Sequence, residues 1–140
     1  MEKPTSNQKH IAKLLKVNIQ GDSSLIAAAK IESTVYEAIR PGKKRKNASE
    51  NQKSYLKSLN AKATSEDRIV ISAMIEEALK IENMKAITKF DLKPGDTIIS
   101  NNHSSKSEDV ISSISDKNHR IWFKGGQGRG CWPSQVVKKI

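Results

Sequence analysis

Two stretches of this chain repeat one pattern: residues 6–39 read SNQKHIAKLLKVNIQGDSSLIAAAKIESTVYEAI, and residues 50–83 read ENQKSYLKSLNAKATSEDRIVISAMIEEALKIEN. At a constant offset of 44 and without a gap, apolar positions and helix-start signals coincide. Matching pairs include Gln8 with Gln52, Leu15 with Leu59, Ala29 with Ala73 and Glu32 with Glu76. Two copies of one small helical unit favour a binding module over a catalytic site, because each copy presents the same kind of surface and the pair gains avidity.

Each copy is predicted to begin with a capping box. Thr5 stands three residues before Gln8, and Ser49 stands three residues before Gln52. At this spacing the hydroxyl and the glutamine side chain each satisfy a backbone amide of the first helical turn. The breaks at residues 17–21 and 60–63 then predict that each copy consists of two helices.

The second helix of each copy has its own start signal and apolar stripe. The candidate caps are Asp22 or Ser23 in the first copy and Thr64 or Ser65 in the second. Glu66 and Asp67 are expected in the first turn, where the helix dipole favours carboxylates. The predicted apolar stripes are Ile11, Leu14 and Leu15; Leu25, Ile26, Ala29, Val35 and Ile39; Tyr55, Leu56 and Leu59; and Ile69, Val70, Ala73, Met74, Ala78 and Leu79. Two such helical hairpins would pack together as a four-helix unit.

From about Phe90 the apolar pattern changes from helical spacing to alternation, which predicts strands. The predicted strands start at Thr97, Asp109, Arg120, Gly130 and Val136. Residues 101–107 are expected to form a polar loop, and residues 133–135 a single helical turn before the last strand.

This C-terminal segment resembles the small Src-homology-3-like barrels, especially the Tudor, KOW and integrase C-terminal types. The resemblance depends on a Pro94-Gly95-Asp96 turn that opens the first strand, on short strands with tight turns, and on an aromatic turn before the last strand. The helical repeats faintly resemble the helix-extension-helix units of the SAP and LEM type. The predicted fold is α+β, with domains at 1–42, 49–87 and 88–140 and a basic linker at 43–48.

The positive charge of the chain is unevenly distributed. The formal net charge is +10, and residues 1–48 carry ten Lys/Arg against four acids. Residues 49–87 carry six against six, and residues 88–140 carry nine against five. A local basic excess favours a polyanionic partner. The alternative is a set of solvated lysine-rich faces.

The linker contains four consecutive cations, Lys43-Lys44-Arg45-Lys46. Such a run is typical of a flexible segment that contacts phosphates or of a nuclear-localisation-like signal, and a solvated linker remains the alternative. On the first helix, Lys9, Lys13 and Lys16 lie opposite the predicted apolar stripe. Helix N-termini at Ser6 and Ser23 would add amide donors for phosphate.

The predicted third strand places two kinds of side chain on opposite faces. Ile121 and Phe123 should point to the core, so that Arg120, Trp122 and Lys124 share the other face. An aromatic ring flanked by cations can stack an unpaired base while the cations hold phosphates. Alternatively, Trp122 packs against the helical repeats, while Trp132 is expected to close the barrel end.

Catalytic and metal motifs are not evident. The run 125–130 is rich in glycine but is not followed by a helix, so a hairpin turn is favoured over a phosphate-binding loop, although its amides near Arg129 could contact a phosphate. Cys131 is the single cysteine, which excludes an internal disulfide and suits a reducing compartment. The three histidines, His10, His103 and His119, lack metal-ligand spacing. No cofactor and no metal are expected.

We therefore expect a non-enzymatic nucleic-acid-binding accessory protein, from a mobile element or a nucleoprotein machine, that contacts mainly the phosphate backbone of DNA or RNA. A larger nucleoprotein enzyme is a further expected partner; a membrane is not. The expected location is cytoplasmic or nucleoid-associated, or nuclear in a eukaryote. The rival hypothesis is a protein-interaction adaptor or inhibitor of a nucleic-acid-processing enzyme. The expected binding residues are Lys9, Lys13, Lys16, Lys43, Lys44, Arg45, Lys46, Arg120, Trp122, Lys124 and Arg129.

Overall fold

Four helices precede a five-stranded antiparallel sheet, which confirms the predicted α+β order. The computed structural model describes residues 2–40, 42, 46–102 and 105–140. The helices are α1 (Ser6–Leu15), α2 (Ser24–Ile39), α3 (Glu50–Ser58) and α4 (Arg68–Phe90). The chain forms two compact units, residues 1–78 and 79–140, so the last turns of α4 belong to the second unit.

The two copies match in backbone detail. Both predicted capping boxes are present, Thr5 with Gln8 and Ser49 with Gln52. After α1 and α3 the chain turns through the left-handed region at equivalent positions, with φ of 58° at Lys16 and 59° at Asn60. The capping boxes and the left-handed residues keep the offset of 44 of the sequence repeat, because the same local signals act in both copies.

The predicted apolar face of α1 is wrong for two of its three residues. Ile11 and Leu14 are 40% and 69% exposed, whereas Ala12 is only 2% exposed. The inward face is instead the row that starts at Gln8, continues through Ala12 and ends at the half-buried Leu15. Gln8 belongs to this row because its side-chain amide donates to the carbonyl of Ser24 in α2. The capping glutamine therefore also contributes a contact to the inward face of the helix.

The predicted cap of α4 is also wrong. The helix starts one residue after Asp67, and Asp67 Oδ1 accepts from the amides of Ile69 and Val70 at 2.9 and 3.3 Å. Ser65 instead accepts from the amide of Asp67, which forms a turn before the helix. A carboxylate at the helix start satisfies two amides that would otherwise lack partners, so Asp67 takes the capping position.

Reciprocal hydrogen bonds join α2 and α4. Ser23 Oγ donates to Glu77 Oε2 at 2.7 Å, and Ser33 Oγ donates to Asp67 Oδ2 at 2.7 Å. In the repeat alignment Ser23 corresponds to Asp67 and Ser33 to Glu77. In each copy, the residue at the cap position contacts the residue of the other copy that lies ten residues after the equivalent cap. Such reciprocal contacts are expected when two copies are related by a two-fold axis.

The core of the first unit is built mainly from α4. Val70, Ala73, Met74 and Ala78 are buried, as the predicted stripe requires. Ile39 was predicted to belong to the apolar stripe of α2, but it is exposed. It lies in the last turn of the helix, beyond the buried Ser33. The buried core cluster is Ala29, Ala48, Leu56, Val70, Ile71, Ala73 and Met74.

The sheet has the strand order β4-β3-β2-β1-β5. Its strands are β1 (Thr97–Asn102), β2 (Ser105–Ile114), β3 (Ile121–Phe123), β4 (Gly130–Cys131) and β5 (Val136–Lys139). Among the strands described, β4 and β5 lie at opposite ends of this order, and no pairing between them closes the sheet into a barrel. The predicted helical turn is present as a 3₁₀ helix, Pro133–Gln135.

The predicted polar loop at 101–107 is largely strand. β1 continues to Asn102 and β2 begins at Ser105, and these two residues pair in the antiparallel ladder. Lys106 pairs with Asn101 in the same ladder. Ladder hydrogen bonds use only backbone groups, so a strand whose side chains are polar on both faces carries no alternation for sequence analysis to detect.

The second unit has its own core. Its buried residues are Leu92, Ile98, Ile111, Ile121, Phe123, Cys131 and Val136. Ile87 and Phe90, from the last turns of α4, pack against them. Buried Asn83, also in α4, accepts a hydrogen bond from the amide of Ser134 at 3.1 Å. This bond fixes the 3₁₀ helix that connects β4 to β5.

Candidate nucleic-acid interface

Strand β3 separates its side chains as predicted. Ile121 and Phe123 are 0% and 6% exposed, whereas Trp122 between them is 40% exposed. The two buried residues belong to the core of the second unit. Trp122 therefore lies on the outer face of the sheet, where a ring can meet a ligand.

Small residues flank Trp122 on the neighbouring strands. It pairs with Ser113 of β2 and with Gly130 of β4. A Cβ atom at position 130 would lie 3.3 Å from Trp122 Cε3 and 2.2 Å from the carbonyl oxygen of Ile121. Glycine at position 130 thus permits the close approach of β4 and leaves room beside the indole ring.

We expect Gly130→Ala to lower the free energy of unfolding by about 1–3 kcal/mol. The new methyl group would overlap the backbone carbonyl of Ile121, and this carbonyl can move only if the strand pair is distorted. The tryptophan emission maximum should shift as well, since β4 must move away from β3. Urea unfolding followed by fluorescence measures both effects. Ser113→Ala, on the other flank of Trp122, is the control and should change stability by less than about 0.5 kcal/mol. An unchanged midpoint and spectrum for Gly130→Ala would contradict this account of the strand pair.

Arg120 lies beside two exposed tryptophans. Its guanidinium carbon is 5.5 Å from the centroid of the Trp122 ring and 4.9 Å from that of the Trp132 ring. Both distances are within the range of cation–π attraction. We call these three residues, Arg120, Trp122 and Trp132, the Trp–Arg–Trp cluster.

Trp132 was not predicted to belong to this cluster. Its ring is 38% exposed, beside Arg120, rather than buried at an end of the sheet. The β3–β4 register pairs Ile121 with Cys131, so the next position along the ladder places Trp132 opposite Arg120. The signal in the sequence was the glycine-rich turn: a hairpin centred on Gly126 brings these two positions together.

Arg129 and Lys124 lie outside the cluster. Arg129 Nη2 donates to Asp109 Oδ1 at 2.7 Å, and the other oxygen of this largely buried carboxylate accepts from Ser107 at 2.8 Å. The guanidinium of Arg129 also lies 5.9 Å from the ring of Phe123. Lys124 is exposed directly after β3. The structure thus gives Arg129 an internal carboxylate partner.

The other predicted cations belong to the first unit. Lys9 and Lys13 are exposed on α1, Lys16 is exposed at its C-cap, and Lys46 is exposed before α3. Residues 43–45 of the basic linker lie outside the described residues.

Metal-binding and reactive groups do not form a site in the described part of the chain. No group of three or more His, Cys, Asp or Glu side chains there could hold a metal ion. Burial raises the pKa of the Cys131 thiol to about 11, which keeps it protonated and unreactive at neutral pH. No helix within the described ranges is long and apolar enough to cross a membrane.

Comparison of the chain with protein-family models, with curated proteins and with solved structures finds no match. Function must therefore be inferred from the chemistry of the site itself.

Proposed function

We propose that this protein is a non-enzymatic nucleic-acid-binding accessory factor that contacts mainly the phosphate backbone. The observation that carries the proposal is the Trp–Arg–Trp cluster: one guanidinium group lies within cation–π distance of two exposed tryptophans, in and next to β3 and β4. Surfaces that bind single strands without sequence preference combine stacking rings with cations in this way.

The cluster suits unpaired bases better than a duplex. In a duplex the faces of the bases are covered by their neighbours, whereas single strands expose them for stacking on aromatic side chains. Trp122 and Trp132 present the rings, and Arg120 supplies the positive charge for a nearby phosphate. Exposed Lys124 adds a second cation at the end of the same strand.

The proposal extends to the fold of the sheet and of the helices. We propose that the sheet closes as a Src-homology-3-like barrel, which is supported by its five short antiparallel strands and by the 3₁₀ helix between β4 and β5. We also propose that the four helices form two hairpins in one bundle. The hydrogen bonds from Gln8 to Ser24 and from Ser23 to Glu77 support that packing.

Affinity for a single strand should fall steeply with salt, because each phosphate contact releases a condensed counterion. With about four such contacts, the logarithm of the association constant should fall with the logarithm of salt concentration with a slope of about −3. Fluorescence anisotropy of a labelled oligothymidylate across a salt series measures this slope. Binding that is independent of salt, or absent at low salt for both single strands and duplexes, would contradict the proposal.

One observation favours the rival function of a protein-interaction adaptor. Ile11 and Tyr55 occupy equivalent positions in the two copies, and both are exposed, at 40% and 47%. Exposed apolar side chains at matching positions are typical of a surface that binds protein. A pull-down with nuclease-treated extract separates the two functions. A protein partner that the adaptor binds directly would still be recovered after nuclease treatment, whereas a protein held only through shared nucleic acid would be lost.

A further inference from the structure

Lys9 and Lys53 occupy equivalent positions in the repeat but differ in what they contact. Both follow a capping box, and the amide of each donates to the carbonyl of the cap residue, at 3.0 Å to Thr5 and 3.1 Å to Ser49. The backbone is therefore the same at both sites. Any difference between the two lysines comes from the side chains around them.

In the second copy the lysine is neutralised within the chain. Lys53 Nζ forms an ion pair with Glu66 and lies 3.7 Å from Glu50 Oε1. The hydrogen bond with the Glu66 carboxylate raises the pKa of Lys53 above its ordinary value. This copy thus shows the geometry in which the shared fold holds an oxygen anion against the lysine.

In the first copy neither of the two equivalent positions provides a free carboxylate for Lys9. The counterpart of Glu50 is Ser6, which has no charge, and the counterpart of Glu66 is Asp22. Asp22 Oδ2 is taken by Lys30 at 2.6 Å, and the residue equivalent to Lys30 in the second copy is an uncharged methionine. Lys9 makes no ion pair among the described residues.

Lys9 lines a surface cavity of about 500 Å³. Lys3 and Gly21 line it as well, as does Asp22, whose charge Lys30 offsets. Nothing lies within 4 Å of the place where a Cβ of Gly21 would stand, so an anion can approach the backbone there. The cavity therefore brings together two lysines for which the described residues provide no carboxylate partner.

We propose that Lys9 and Lys3 bind a backbone phosphate of the nucleic acid in this cavity, in the place that the Glu66 carboxylate occupies in the second copy. The proposal rests on the proposed function and makes it more specific. One copy of the repeat binds phosphate, and the other satisfies the same lysine internally. The duplication has thereby divided into a binding copy and a structural copy.

The first test uses inorganic phosphate and the ¹⁵N-labelled full chain at constant ionic strength. The amide of Gly21 should shift saturably in NMR spectra, whereas that of its counterpart Ser65 should not. Lys9→Gln should abolish the shift, and Lys53→Gln should leave it unchanged. The variant Glu50→Ser/Glu66→Gln releases Lys53 and should make Ser65 respond. A Gly21 shift that persists in Lys9→Gln, or no shift in the wild-type chain, overturns the proposal.

The second test uses a labelled oligothymidylate. Lys9→Gln should weaken binding about fivefold at about 0.1 M salt and make the salt slope shallower by about 0.7, as expected for one lost phosphate contact. Lys53→Gln is the matched control and should bind like wild type, with thermal midpoints that confirm folding of both variants. If both variants bind equally, this inference is wrong and the proposed function stands. If the wild-type chain binds no oligonucleotide at low salt, the proposed function itself is wrong.

Discussion

Trp122→Ala is expected to weaken the binding of a labelled oligothymidylate by about 1–3 kcal/mol, and the binding of a duplex by less. The ring is exposed on the outer face of β3, between Ser113 and Gly130, so its removal takes away a stacking surface and leaves the core intact. The free energy of unfolding should change by less than about 1 kcal/mol. Anisotropy titrations and urea unfolding measure the two quantities.

Phe123→Ala, one residue away, should have the opposite effect. The side chain is 6% exposed and packs in the core of the second unit, so its truncation should lower the free energy of unfolding by about 3–5 kcal/mol. The affinity per folded molecule should remain near that of wild type, because the ring does not reach the outer face.

The two variants together test the cluster. A similar loss of stability in both would show that Trp122 contributes packing rather than stacking, and the first unit would then have to carry the binding. Unchanged affinity in Trp122→Ala would remove the main support for the proposed function. Trp132→Ala provides a second measurement on the cluster, since its ring also lies beside Arg120, at 4.9 Å.

Asp67→Ala is expected to lower the free energy of unfolding by about 2–4 kcal/mol. The change removes the acceptor for two amides at the start of α4, which costs about 0.5–2 kcal/mol. It also takes away the acceptor of the Ser33 hydroxyl, which is 1% exposed, and an unsatisfied buried hydroxyl costs about 1–3 kcal/mol. Urea unfolding of the variant gives the total.

A double-mutant cycle separates these two costs. In a Ser33→Ala background the hydroxyl is already absent, so Asp67→Ala should cost less than in the wild-type background, by about 1–3 kcal/mol for the unsatisfied hydroxyl. If the loss is the same in both backgrounds, the bond between Ser33 and Asp67 contributes nothing to stability. The reciprocal bond from Ser23 to Glu77 would then need direct measurement too.

The repeat made much of the first unit predictable. Capping boxes are local signals, because a hydroxyl and a glutamine three residues apart satisfy the amides of one turn without any help from the rest of the fold. Both boxes were predicted correctly, at Thr5 and Ser49. The inward face of α1 was not, because Ala12 is small and Ile11 is large, and hydrophobicity alone pointed to the larger residue.

In the sheet, too, features set by neighbouring residues were predicted, and features set by residues distant in the sequence were not. Alternation placed Phe123 inside and Trp122 outside, since successive side chains in a strand point to opposite faces. The polar ends of β1 and β2 were missed because their ladder bonds involve only the backbone. The pairing of Arg129 with Asp109 joins a residue just before β4 to one in β2, and nothing in the local sequence indicates it.

The sequence by itself determined the duplication, the capping boxes at Thr5 and Ser49 and the alternation in β3, because each can be recognised from the order of residues along the chain. Only the tertiary structure decided which charges remain free. Arg129 is held by Asp109, and Lys53 is held by Glu66, whereas Lys9 is left beside an open cavity. These outcomes depend on side chains that folding brings together from distant positions, and an ion pair forms only where the fold places both partners within reach.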